Sequence, residues 1–254
     1  MAGTRMSVIV GRAIGRAVCA TVLLSIALGA SMNRASAQGG QSATPGRATA
    51  PIDLTGYWVS VVFEDWKFRM VTPERGVFDG VPLNAEGRRV GEAWNPEADE
   101  AAGDMCKAYG APGIMRMPGR FRISWEDDAT LRIDTDSGEQ TRLFHFGAAS
   151  RGAPSRQGYS LAEWLPAPRS GGSLKVTTDN LLAGYMRSNG APYSDRTTMT
   201  EYFDLHSLPN GEAYLTITTR VMDPLYFSGP DLKSTDLRKL PDGEGWDPTS
   251  CGVP

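Results

Sequence analysis

Apolar and polar side chains alternate in short runs, each ended by turn residues, and this pattern narrows the possible folds of the chain more than any other feature. A period of two sends successive side chains to opposite faces of an extended backbone, so such runs read as half-buried β-strands. The clearest stretch is residues 120–146. Phe121, Ile123 and Trp125 alternate with Arg120, Arg122 and Ser124, and Asp127-Asp128 turns the chain. Leu131, Ile133 and Thr135 then alternate with Arg132, Asp134 and Asp136, and Ser137-Gly138 turns it again into Gln140–Phe146. These three predicted strands form an antiparallel meander with one apolar and one wet face. Arg196–His206 and Glu212–Met222, joined across Pro209-Asn210-Gly211, give a strong hairpin signal.

Further strands are predicted at Leu54–Phe63, Trp66–Val71, Gly158–Trp164 and Ser173–Thr178, with a weaker one at Leu182–Arg187. In Trp66–Val71 the alternation sets Trp66, Phe68 and Met70 on one face and Lys67 and Arg69 on the other. One helix is predicted over Asn84–Trp94 with Asn84 as its N-cap. Residues 95–113 read as a helical turn plus loop, and no strand is assigned to the Pro-, Gly- and Asp-rich tail from Asp223. The expectation is a mostly β fold: a single antiparallel meander barrel with one short helix insertion. A two-sheet sandwich with a filled core is the alternative. Closure removes exposed strand edges and leaves an interior that can hold a ligand.

The first residues read as an export signal. Arg5, Arg12 and Arg16 form a basic stretch, Ala17–Met32 an apolar one, and Ala35-Ser36-Ala37 a small-x-small cleavage site before Gln38. The expected organisation is a signal peptide over 1–37, a Gly/Ser/Ala/Pro tether over 38–51 and one β domain over 52–254. The product would be exported, periplasmic or secreted. The apolar run is too short to span a bilayer, and no later stretch approaches about 20 apolar residues, so no integral membrane segment is expected after cleavage. Cleavage would remove four of the 26 Lys and Arg and none of the 29 Asp and Glu, leaving 22 against 29, a formal charge of −7. That balance argues against nucleic acid as a partner, which needs clustered positive charge. Of three cysteines, Cys19 would leave with the signal. Cys106 and Cys251 remain as an even pair in an oxidising compartment, which predicts a disulfide, with two free thiols as the alternative. Two lone cysteines and two distant histidines have no metal-ligand spacing, so no metal and no cofactor are expected.

Gly56-Tyr57-Trp58 in the first predicted strand resembles the G-x-W signature that opens the first strand of lipocalin-like (calycin) barrels. The resemblance implies a barrel whose Trp58 closes one end beneath an arginine from the last strand, here Arg220. The early helix departs from the usual lipocalin, which carries its helix near the C-terminus. From about residue 53 to 251 the chain also resembles a group of exported bacterial proteins of unassigned function. The stretches that carry this are Cys106–Arg120, Thr200–His206 and the Trp246-Asp247-Pro248 end with Cys251. It implies a compartment and a shared fold and supplies no activity.

No nucleophile elbow, zinc-protease or P-loop motif is present. Any chemistry would come from scattered side chains converging in the barrel. His145 lies in an apolar strand end, Leu143–Phe146, where a neighbouring acid could tune it, and Glu163 and Glu201 are acids inside strands. These three are the candidate acid/base residues, and a plain core histidine is the alternative for His145. Arg69 beside Glu64-Asp65, and Arg116 near Arg120, could take a polar or anionic ligand at a barrel mouth. Tyr109, Trp125, Trp164 and Tyr202 are the candidate aromatic contacts. The leading expectation is an exported small-molecule-binding barrel with an apolar or aromatic ligand. The alternatives are a cofactor-independent lyase, isomerase or hydrolase with a His/acid pair inside the barrel, and an envelope interaction module with a filled core.

Overall fold

The structure, a computed structural model, describes residues 46–252. The expected signal segment and its cleavage site, together with residues 38–45 of the tether, lie outside the described residues. Nine strands close into a barrel: β1 (Gly56–Val61), β2 (Arg120–Asp127), β3 (Thr130–Thr135), β4 (Thr141–Phe146), β5 (Tyr159–Pro166), β6 (Gly172–Asp179), β9 (Thr198–Ser207), β10 (Ala213–Met222) and β11 (Asp231–Leu240). β7 (Gly184–Arg187) and β8 (Ala191–Tyr193) form a separate small hairpin. Around the barrel the order is β1-β11-β10-β9-β6-β5-β4-β3-β2. All neighbouring pairs are antiparallel except β4 with β5, which run side by side in parallel with Phe144 opposite Ser160.

The meander over residues 120–146 and the long hairpin β9–β10 form as their alternation predicts. Two of the strand expectations are corrected. Trp66–Arg69 is a short helix (α1) and not a strand, entered through Asp65 in the left-handed region at φ 49°. Its expected apolar face is not buried: Trp66 is 63 % exposed and Met70 60 %. The tail also holds a full strand. β11 zips between β1 and β10, with Trp58 opposite Lys239 and Ile217 opposite Thr235, and its pairing completes the ring.

The single helix insertion expected between β1 and β2 is a succession of short helical pieces. After α1 come α2 (Ala85–Glu92), α3 (Pro96–Ala101), a 3₁₀ turn (Met105–Tyr109) and α4 (Ala111–Ile114). Asn84 caps α2 as predicted, its side chain accepting from Gly87 N at 2.9 Å, which satisfies one of the amides left free at a helix start. Asn95 does the same for α3, with Pro96 in its first turn.

Two apolar clusters hold the molecule together. The larger fills the bore with Trp58, Phe121, Ile133, Phe144, Phe203 and their neighbours, and Ile114 and Met115 from the insertion push into it from one end. The second packs the insertion and the β7–β8 hairpin over that same end, through Phe78, Leu83, Met186, Tyr193, Val221 and Phe227. At the other end Trp125, Phe146 and Trp164 pack in sequence, the first pair tilted and the second stacked, with ring centroids 5.5 and 5.3 Å apart. Residues 46–51 of the expected tether lie there too: Gly46 is buried and accepts a hydrogen bond from Trp164 Nε1 at 2.7 Å.

The first-strand tryptophan is fully buried inside the barrel, as the lipocalin resemblance implies. The cation over its ring is Lys239 of β11, 5.4 Å from the ring centroid, whereas Arg220 is exposed on β10. Cys106 and Cys251 form the expected disulfide across 145 residues of chain. It is reached by a tail that returns from the end of β11 along the outside of β1 and β2, where Trp246 meets the ring of Tyr57 and the guanidinium of Arg122.

Candidate functional site

The bore is packed with side chains, and its buried charge pair is matched within the bore, with the Arg142 Nε left without a hydrogen bond among the described residues. Arg142 of β4 and Glu201 of β9 are both fully buried and pair through two bonds of 2.9 and 2.6 Å. The guanidinium also lies 4.8 Å from the centroid of Phe144 and within reach of Thr178 Oγ1. Two buried charges held this way offset each other's desolvation.

The three candidate acid/base residues do not come together. Phe144 and Phe146 take the inner face of β4, so His145 is turned to the outer face, where it stacks on Tyr159 at 5.4 Å and approaches Thr130 Oγ1 at 3.5 Å. Partial burial there pushes its imidazole below the ordinary value, against a weaker pull upward from Asp127. Glu163 is on the outer face of β5 and pairs with Lys175 at 2.6 Å. Glu201 is inside with Arg142. The second histidine, His206, is exposed near the end of β9.

The candidate ligand residues divide among four places. Trp125 and Trp164 close the end of the barrel away from the insertion. Tyr109 belongs to the disulfide region: its hydroxyl accepts from Gly252 N at 3.2 Å, and its ring lies over Gly138, where any Cβ would fall 2.1 Å from a ring carbon. Gly138 turns the chain at φ 77°, so glycine is required there on both counts. Tyr202 is on the outer face of β9. Arg69 and Arg116 do meet, as Arg69 Nε donates to the Arg116 carbonyl at 2.9 Å.

That meeting point is one wall of a cleft at the insertion end of the barrel. It encloses about 90 Å³ and opens to solvent on one side. A void of that size holds a few water molecules or one small ligand head group. Its walls come from α1 and the loop after it, from Gly113–Pro118, from the β7–β8 hairpin and from the start of β11. Phe68, Val81, Met117 and Met186 supply the apolar surface, and Arg69, Arg116, Arg187 and Lys233 the cations.

The charges in the cleft are unevenly matched. Arg116 bonds Asp65 at 3.0 Å and the Ser234 carbonyl at 2.8 Å. Lys233 lies 3.3 Å from Asp231 and 3.7 Å from Asp65. Burial raises the Asp231 carboxyl above its ordinary value, although Lys233, Arg116 and Arg187 pull the other way. Arg69 is the exception. Its side chain is only 3 % exposed, and among the described residues neither Nη1 nor Nη2 has a hydrogen-bond partner, its ion pair with Glu64 being a loose one of 3.5 Å. Burial, then repulsion from Arg116, brings its guanidinium down to about 10. Arg187 donates Nη2 to the Asp79 carbonyl at 2.7 Å and lies 5.2 Å from the ring centroid of Phe68. Its Nε is enclosed without a partner, and it makes no ion pair among the described residues.

Arg69 and Arg116 were visible in the sequence as basic residues near turns. Arg187, Asp231 and Lys233 were missed. Arg187 ends a weak strand, and the other two begin a strand whose inward residues are mostly charged or polar. The usable signal was Asp231-x-Lys233, an opposite-charge pair at strand spacing on one face. The chain matches no protein-family model, no curated protein and no solved structure.

Proposed function

We propose that the protein binds a small molecule, and that the ligand sits in the cleft at the insertion end of the barrel and not in the bore. The observation that supports this is the contrast between the two places. The bore is filled by its own side chains, and its buried charges are paired with each other through two bonds, leaving one N–H, Arg142 Nε, unbonded. The cleft is open, partly apolar, and walled in part by two arginines, Arg69 and Arg187, that keep unbonded N–H groups. Ligand sites combine an apolar surface with a few converging polar groups in this way.

Native mass spectrometry of the full chain, purified from its own source and then mildly denatured, tests the reading. A small molecule should be carried by the native protein and released on unfolding. Thr72→Trp, which places an indole at an exposed position on the cleft wall, should empty it. A ligand retained by that variant, or a native protein that carries nothing and takes up nothing from a soluble extract of its source, overturns the proposal.

A further inference from the structure

Resting on the cleft as the binding site, we infer that its ligand is a small organic acid, a carboxylate with a short apolar body, held by Arg69 and Arg187 against Phe68. The argument begins with what is already paired. Asp65 and Asp231 are the acids most deeply set in the cleft, and Arg116 and Lys233 engage them. Arg69 and Arg187 remain, both drawn out of water and both with N–H groups that make no hydrogen bond among the described residues, although Arg69 has a loose ion-pair neighbour in Glu64 at 3.5 Å. Leaving a buried donor unmade costs its full desolvation, and more for a charged group. A protein keeps such a pair where something else completes it.

The completing group is an anion because the unused groups that line the cleft, on Arg69 and Arg187, are donors; the one unbonded oxygen beside them, Glu64 Oε2, lies 3.5 Å from Arg69 Nη1 and is not part of the cleft wall. A guanidinium carries five donors in a planar fork and no acceptor, and a planar carboxylate matches it with two parallel bonds. The rest of the ligand is apolar because Phe68, Val81, Met117 and Met186 line the remaining wall. Phe68 serves both parts, lining the cleft while Arg187 and Lys67 lie over its ring. The enclosed volume of about 90 Å³ sets the size, with the open side available to a slightly longer tail.

The test is isothermal titration calorimetry of the full chain with acetate, butyrate and benzoate, with the neutral amides butyramide and benzamide, and with sulfate and phosphate. Butyrate or benzoate should bind at least about tenfold more tightly than its amide, and more tightly than either inorganic anion. Arg187→Met should weaken the acid about ten- to hundredfold, the worth of one charge-assisted contact, and Arg187→Lys should recover part of the loss. Arg69→Met should weaken it similarly while the melting midpoint of the free protein stays level or rises, because a buried cation with two unbonded Nη groups has been removed and its loose partner Glu64 is a third exposed to water. Amides that bind as well as acids, or an Arg187→Met variant of unchanged affinity, overturn the acid ligand and leave the cleft standing as a binding site. Sulfate or phosphate binding more tightly than every carboxylate replaces the organic acid with an inorganic oxoanion. Heat from none of these probes, together with a steep fall in the Arg69→Met midpoint, makes the two arginines structural struts and overturns the inference outright. The Thr72→Trp variant separates the two claims, since it blocks the cleft without touching a charge.

Discussion

At the scale of single residues, Arg142 and Glu201 set the clearest test of what holds the barrel in register. Both are fully buried and bond each other twice, so removing either partner strands a charge in the core. Arg142→Met or Glu201→Leu alone should cost about 3–5 kcal/mol in chemical denaturation. The double variant should recover most of that loss, because two apolar side chains of similar volume need no desolvation. Urea midpoints for the four proteins check this, and a double variant as unstable as the sum of the singles would show no coupling between the two residues and overturn the reading. The sequence marked Glu201 as an acid inside a strand that would need a partner if it faced inward. It could not name Arg142, because the partner is chosen by a register linking residues 59 positions apart. His145 has the opposite history. Its apolar neighbours made it look buried, but in a strand the residues on either side of a position point the other way. Phe144 and Phe146 occupy the core, and the histidine between them is turned out.

At the scale of elements, α1 and β11 show where alternation misleads. Residues 66–71 alternate well enough for a strand, yet the segment is a single helical turn with Trp66 and Met70 exposed, and Arg69 carried into the cleft wall. Those exposed side chains should be nearly free to change. Trp66→Ser and Met70→Ser should each shift stability by no more than about 0.5 kcal/mol, the range for surface positions. Thermal denaturation measures it, and a loss of several times that size would put the two residues back in a core. β11 fails in the other direction. Of its inward residues Asp231, Thr235 and Leu237, only the last is a large apolar one, while Leu232 faces out at 63 % exposure. Its hydropathy is the inverse of what a core strand shows. What makes it a strand is the pair of open edges waiting on β1 and β10, and that information lies in the rest of the chain. The meander over residues 120–146 was legible because burial, turns and alternation agreed there. The cleft was legible only in its two arginines near turns, since its other wall is built from the unrecognised strand and the small hairpin.

At the scale of the whole molecule, the Cys106–Cys251 bridge fastens the returning tail to the insertion. The loop it closes spans 145 residues, and chain-entropy reasoning assigns such a loop about 4–5 kcal/mol of stabilisation. Cys251→Ser should therefore lower the unfolding free energy by up to that amount. The tail contacts, including Thr249 N to the Asp136 carbonyl at 2.9 Å, should loosen first and show early amide exchange. Equal stability in the variant, or undiminished protection of the tail, would show that the tail is held by its other contacts alone. The ring itself carries a kinetic cost. Tyr57 is paired with Leu240, so closure joins two of the most widely separated segments of the described chain. Contacts of such range form slowly. Until β11 exists and finds its place, β1 and β10 each present a row of free amides and carbonyls to any other copy nearby. The half-made barrel is an adhesive sheet, and the yield of folded protein is a race between one late intramolecular pairing and crowding by its own kind.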